Sequence, residues 1–231
     1  MNKYIILILG LLGLGIVQAQ NLEYRINSMG FKVADLRLSI GKDNLYVKAS
    51  NSGFRTIFPH INNIYRVSFD ADFMPQSYVR VIHQSELKDI INTSYHKNSA
   101  TMHRKSSNES ISYTLPAPSH DIFTLLAKIS QSEKPIGEYL VDGNGRPWKA
   151  IVSGGKVEDL KTSLGKFQTR KYELRFKALN ANKAPYIDML THNFLDEDLH
   201  LSIWVNQGGI PVKAHLRKKL VVITWEILSI S

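Results

Sequence analysis

Along most of the chain, apolar and polar residues alternate one for one. Residues 171–177 put Tyr172, Leu174 and Phe176 on one face and Lys171, Glu173, Arg175 and Lys177 on the other, which is the period of a half-buried strand. Leu36, Leu38 and Ile40 alternate in the same way, as do Leu45, Val47 and Ala49. The same reading predicts strands over residues 22–27, 63–70, 76–83, 89–95, 110–114, 137–141, 148–152 and 220–228. Antiparallel sheets with one wet face read like this, whereas buried parallel strands read as continuous apolar runs. Turn signals separate the strands: Ser28-Met-Gly30, Gly41-Lys-Asp-Asn44, Asp142-Gly-Asn-Gly145, Ser153-Gly-Gly155 and Gln207-Gly-Gly209, all rich in residues that tolerate positive φ. The pattern predicts an all-β, mainly antiparallel fold, a long meander of roughly ten or more strands.

Three stretches break the alternation. Residues 119–130 begin with Ser119 as a helix N-cap, carry Asp121 in the first turn, and repeat Ile122, Leu125 or Leu126, and Ile129 at helical spacing; this predicts the one principal helix, near residues 119–131. A shorter helical turn is predicted over residues 53–57, closed by Pro59, and residues 184–194 read either as a loop or as a loop with a helical turn. Pro116-Ala-Pro118 marks a boundary between an N-terminal sheet and a helix-led second half. Strands of the same character continue beyond it, so a single β-rich domain over residues 20–231 is expected.

The first nineteen residues stand apart from this domain. Lys3 gives a positive start, residues 4–17 carry no charge, and Val17-Gln18-Ala19 places small or aliphatic residues where a signal peptidase reads. At about 14 residues the apolar run is short for a membrane span. A signal peptide over residues 1–19, cleaved after Ala19, and a periplasmic location are therefore expected, with an uncleaved anchor as the alternative. No later segment approaches the ~20 apolar residues of a spanning helix, so the processed chain is expected to be soluble. The chain has no cysteine, so neither disulfides nor a lipid-modified cysteine can support it, and a bacterial periplasm fits this better than a eukaryotic secretory path. Without its first nineteen residues it keeps 28 basic and 20 acidic residues, a net charge of +8. That surplus favours an anionic envelope surface over long range. Lys and Arg are spread along the whole chain, however, which also suits a surface that is merely solvated, and nucleic acid is not an expected partner of an exported protein.

The hairpin at residues 199–216 carries the most individual pattern. Leu199, Leu201, Ile203 and Val205 share one face, Ile210, Val212, Ala214 and Leu216 continue it after the Gly208-Gly209 reversal, and Trp204 lies opposite with His200 and Ser202. A large aromatic on a polar strand face is either covered by another element or lines a cleft. Trp204, with Tyr65 from another strand, is therefore the expected ligand-binding pair. The stretch "LSIWVNQGGIPVKAHL" resembles the closing motif of the bacterial family called domain of unknown function 3108. Other landmarks follow in the family's order: "LEYRINSMGFKVADLRLSI", "IYRVSFDADFMPQSY", "SHDIFTLLAKI" and "LGKFQTRKYELRF". The resemblance spans nearly all of residues 21–228. Asn206-Gln207 departs from it, since an acidic residue is commoner at that turn. The resemblance implies an envelope location and an all-β sheet similar in style to the curled half-barrels of periplasmic lipoprotein carriers, and it brings no catalytic residues.

The chain offers little chemistry to set against this. Eight histidines are present, but His192 and His200 are eight apart and His96 and His103 seven apart, without His-Glu-x-x-His, so no metal site is expected. There is no Gly-x-Ser-x-Gly elbow and no phosphate-binding glycine loop. Asp70 and Asp72 in "FDADFMP" either share a strand face, which would couple their protonation, or cap a turn before Pro75. No catalytic residues, no cofactor and no enzymatic activity are expected. Two functions remain: binding of a lipid or similar hydrophobic small molecule on a curled, half-barrel-like sheet, or service as a structural or assembly partner of other envelope components, without a ligand cavity.

Overall fold

A computed structural model describes residues 20–51, 60–186, 188 and 194–231. The expected signal peptide and the helical turn at residues 53–57 lie outside the described residues, as do residues 187 and 189–193 of the ambiguous segment. The first eight strands are β1 (Gln20–Ser28), β2 (Phe31–Ile40), β3 (Asn44–Ser50), β4 (Asn62–Phe69), β5 (Pro75–Gln84), β6 (Leu87–His96), β7 (Ser99–Arg104) and β8 (Glu109–Thr114). A short β9 (Ser119–Asp121) leads into α1 (Ile122–Gln131). The chain then forms β10 (Gly137–Asp142), β11 (Pro147–Thr162), β12 (Gly165–Ala178), β13 (Leu199–Asn206), β14 (Pro211–Lys218) and β15 (Val221–Ile230).

All fifteen strands belong to one sheet, ordered β8-β7-β6-β5-β4-β3-β2-β1-β15-β14-β13-β12-β11-β10-β9. Two meanders are thus joined where the first strand pairs with the last, Leu22 opposite Ile230 and Ser28 opposite Ile223. Every pairing is antiparallel except β9 with β10, so the fold is all-β and mainly antiparallel, as the alternation predicts. Residues directly opposite one another share a face, and the inner rows can be followed across the strands. One runs Leu22, Leu38, Val47, Tyr65, Arg80, Ile91, Arg104. Another runs Val152, Leu174, Leu201, Leu216, Ile223. The sheet curls around these rows with α1 inside the curl, and Leu125 and Ile129 of α1 are fully buried in the same core as Val67, Leu174 and Leu201. Edges β8 and β9 are not joined by a backbone ladder, so the sheet is not a closed barrel.

Three local details differ from the sequence reading. Asp121, not Ser119, caps the helix: its carboxylate accepts from the Phe123 and Thr124 amides at 2.8 and 3.2 Å, and the Thr124 hydroxyl accepts from the Asp121 amide. Residues 119–121 are instead drawn into β9 by pairing with β10. Ser153-Gly154-Gly155 is not a reversal; β11 runs on through it as a bulge, with φ of 99° and 86° at the two glycines, the freedom that a bulge requires. Strand β7, where Ala100 and Met102 are buried between more polar neighbours, is too short and too mixed to stand out in the sequence. The "FDADFMP" step is a capped turn, the Asp70 carboxylate accepting from the Asp72 and Met74 amides at 2.9 Å each.

Ile203 tests the assignment of faces. It is 3% exposed and lies between Tyr172 and Ala214 in the register. Ile203→Asp is expected to lower the free energy of unfolding by about 3–5 kcal/mol in a urea titration, the cost of a buried, unpaired charge. An unchanged midpoint would place this row outside the core.

Candidate functional site

Between α1 and the concave face of the sheet lies an apolar cleft. The first meander contributes Leu36, Leu38, Val47 and Tyr65, the helix Phe123, Leu126 and Ala127, and the second meander Ile203, Ala214 and Trp225. Both halves of the chain are needed to build it, because β1 and β15 pair beside it. The Phe123 ring lies 5.2 Å from that of Tyr65, and Phe194 lies 5.0 Å from Trp225. The unfilled room amounts to about 90 Å³, less than the ~150 Å³ of an apolar cavity that admits benzene. The helix therefore fills most of the concavity but not all of it.

The polar side of the cleft begins at Tyr65. Its hydroxyl donates to Asp188 Oδ1 at 3.0 Å and accepts from Asn63 Nδ2 at 2.9 Å. Opposite Tyr65 on β5, the Arg80 guanidinium is fully buried, 3.8 Å from the Asp188 carboxylate and packed against the rings of Tyr78 and Tyr186 at 5.2 and 5.5 Å. No hydrogen bond reaches its three nitrogens among the described residues. Burial works against this charge, and the tyrosine and aspartate groups around it outweigh burial and hold its pKa above the ordinary value. Burial likewise pushes up the hydroxyls of Tyr65, Tyr78, Tyr95 and Tyr113, which keeps them protonated.

A second buried carboxylate ties the free edges of the sheet together. Asp142 Oδ2 accepts from Tyr95 and Tyr113 at 2.9 Å each, and Oδ1 accepts from the Gly145 amide at 2.7 Å. Tyr113 lies on edge strand β8, and Asp142 ends β10, which carries the other edge strand, β9. Burial raises the Asp142 pKa against these hydrogen bonds. His120 on β9 reaches across with Nδ1 to the Phe73 carbonyl at 2.9 Å, and Lys128 of α1 donates to the Asp72 carbonyl at 3.1 Å. Among the described residues there is no group of three or more His, Asp or Glu side chains placed to hold a metal ion.

The two residues singled out from the sequence are not brought together. Tyr65 lines the cleft. Trp204 does not, because the apolar row containing Ile203 faces the concave side and leaves its neighbour on the other. There the Trp204 indole N–H donates to Glu158, Lys171 lies 5.0 Å over its ring, and it packs on a smaller apolar cluster with Leu160 and Phe167 of the long β11–β12 hairpin. Trp225, at the inner position opposite Ala214, lies where a cleft-lining tryptophan was expected. Arg80 escaped the sequence reading because the two faces of β5 are about equally apolar, Val79 and Val81 on one and Tyr78 and Ile82 on the other. Asp142 read only as part of a turn.

Two adjacent groups titrate in opposite senses. Burial raises the Asp121 pKa from 3.8 to about 6, against the helix amides that favour its charge. The folded chain therefore keeps a proton that the unfolded chain has lost, and this contribution falls as pH rises from about 4 to 6. Burial lowers the His120 pKa from 6.5 to about 4. Here the unfolded chain binds the proton first, and stability is lost as pH falls from about 6.5 to 4. Asp121→Asn keeps a good cap and leaves His120 unopposed. Between pH 6.5 and 4 the variant is expected to lose roughly 3 kcal/mol more than the wild type in denaturant titrations; parallel pH profiles would refute this.

No protein-family model matches the chain, and no curated protein matches it at a significant level. Among solved structures, a β-barrel-like protein of domain of unknown function 1849 from Brucella abortus aligns with a TM-score of 0.61 at 6% identity, over 92% of this chain and 97% of that one. The hypothetical lipoprotein YmcC from Escherichia coli aligns at 0.34 with 9% identity, over 91% and 84% of the two chains. A putative exported protein with a YmcC-like fold from Bacteroides fragilis aligns at 0.32 with 8% identity, over 92% and 95%. No helix among the described residues is long and apolar enough to cross a membrane. At 6% identity the Brucella likeness is one of fold, a large curled antiparallel sheet.

Proposed function

We propose that this is an exported, non-enzymatic envelope protein that holds an apolar, lipid-like ligand between α1 and its curled sheet. The observation that carries this reading is the cleft itself, lined almost wholly by apolar side chains from both meanders and the helix. Export rests on the charge-free stretch of residues 4–17 ahead of Val17-Gln18-Ala19 and on the resemblance to domain of unknown function 3108. Each methylene buried contributes about 0.8 kcal/mol before ordering costs. A ligand with several of them gains by moving Leu126 and Phe123 aside, and Tyr65 would flank it. The competing reading, an assembly partner with a filled core, draws on the small room that α1 leaves.

Delipidated protein titrated with a fatty acid or lysophospholipid is expected to show a saturable change in tryptophan emission. That change should be lost in Trp225→Phe, whose ring lines the cleft, and kept in Trp204→Phe. Ala127→Trp, which fills the cleft, should abolish binding while the protein remains folded by circular dichroism. No saturable change in the wild type, or equal binding in Ala127→Trp, would put the assembly-partner reading ahead.

A further inference from the structure

A second surface, independent of the cleft, carries large apolar groups into solvent. The β1–β2 and β14–β15 turns emerge at the same end of the sheet, because β1 and β15 pair with Ser28 opposite Ile223, and the Met29 amide donates to the Val222 carbonyl at 3.4 Å. Met29, Gly30 and Lys219 have φ of 51°, 85° and 51°, a conformation for which turns ordinarily take Gly, Asn or Asp. These turns instead present Met29 at 73% exposure, Phe31 at 68%, Leu220 at 94% and Val221 at 47%. Single exposed apolar residues are ordinary. Four on two touching turns form a patch, and patches mark contact surfaces.

Charge beside the patch indicates what it contacts. Arg175, His200 and Arg217 lie directly opposite one another on β12, β13 and β14, and the next residue across is Val222, under Met29. Basic groups facing each other across strands weaken a sheet unless something anionic neutralises them. The rim lysines already have acidic partners, Lys218 with Asp196 at 2.6 Å, Lys219 with Asp198 at 3.6 Å and Lys32 with Asp35 at 2.8 Å. Arg175 and Arg217 form no salt bridge among the described residues; Arg175 touches His200, and Glu173, the carboxylate that acts on both electrostatically, is already engaged by Lys171 and Ser202. Arg217 stands three residues before Leu220, about 10 Å along the strand. Apolar tips that reach the acyl boundary therefore bring both arginines to the depth of the headgroups.

We infer that this rim docks on an anionic phospholipid surface, with Met29, Phe31, Leu220 and Val221 entering the interface and Arg175 and Arg217 meeting lipid phosphates. Arginine suits that role because its planar fork binds phosphate oxygens in pairs. Without residues 1–19 the chain's net charge of +8 adds attraction over longer range.

The test is sedimentation of the purified protein with vesicles of phosphatidylcholine, with and without phosphatidylglycerol. Residues 1–19 are common to every variant, so differences between variants read the rim alone. Wild type is expected to bind the anionic vesicles and to lose affinity with added salt. The combined Met29→Ser, Phe31→Ser and Leu220→Ser variant, altered only at exposed positions, should bind about tenfold or more weakly. Arg175→Gln with Arg217→Gln should bind about tenfold or more weakly at low salt and lose most of the salt dependence. Both variants should keep the wild-type response to ligand in the cleft. Equal vesicle binding by wild type and both variants would overturn the inference. So would a wild type that ignores vesicles but self-associates through the apolar tips, which would make a second copy of the chain the occupant.

Discussion

The curl of this sheet depends on bonds between side chains across a gap that no backbone ladder spans. Among the described residues, fifteen strands follow one another from β8 round to β9, and the two outermost are unpaired on their outer sides. What holds the edges near each other is a buried carboxylate, Asp142, taking two tyrosine hydroxyls on a single oxygen, together with the reach of His120 to the Phe73 carbonyl. Such bonds are strong where water is excluded. They are also conditional, since each partner lost leaves a buried polar group unmatched. The concavity, and with it the cleft, rests on this seam in a way that a hydrogen-bonded barrel would not.

Inside the curl, α1 serves two purposes that oppose each other. Leu125 and Ile129 fill the core, which stabilises the sheet, while Phe123, Leu126 and Ala127 leave a narrow apolar gap against Tyr65 and Trp225. A longer side chain at Ala127 would close the gap, and smaller ones on the helix would open it. The buried Arg80 beside Tyr65 adds a charged wall that Asp188 offsets electrostatically without giving it a hydrogen bond. Among the described residues no hydrogen bond reaches this guanidinium, and a polar group so placed is costly unless a partner meets it.

Strands such as β12 and β13 were legible from alternation because one face of each is wet, so Leu174 or Ile203 is told from its neighbours by polarity alone. At β5 the signal found the strand but not its inner face, because Val79 and Val81 on the outer face are as apolar as Tyr78 and Ile82 on the inner face, which also carries Arg80. It failed again at Ser153-Gly154-Gly155, where glycine marks a turn and a bulge alike. The helix was legible, but its cap was not: Ser119 and Asp121 are both good caps, and pairing of residues 119–121 with β10 decided between them. Tyr65 lines the cleft and Trp204 does not, and the sequence could not tell the two apart for one reason. The alternation at residues 199–205 correctly separates two faces but does not say which of them the sheet curls around.

By itself, the sequence determined the all-β class, the number of reversals to within a few, the apolar rows and the principal helix, because each depends on neighbours two to four residues apart. Tertiary structure decided the meeting of β1 with β15, the seam at Asp142, the burial of Arg80 against Asp188 and the juxtaposition of the Met29 and Leu220 turns. Those contacts join residues 29 or more positions apart, and in the last case nearly two hundred. Their partners are selected by the register and curvature of the whole sheet, which no local pattern encodes.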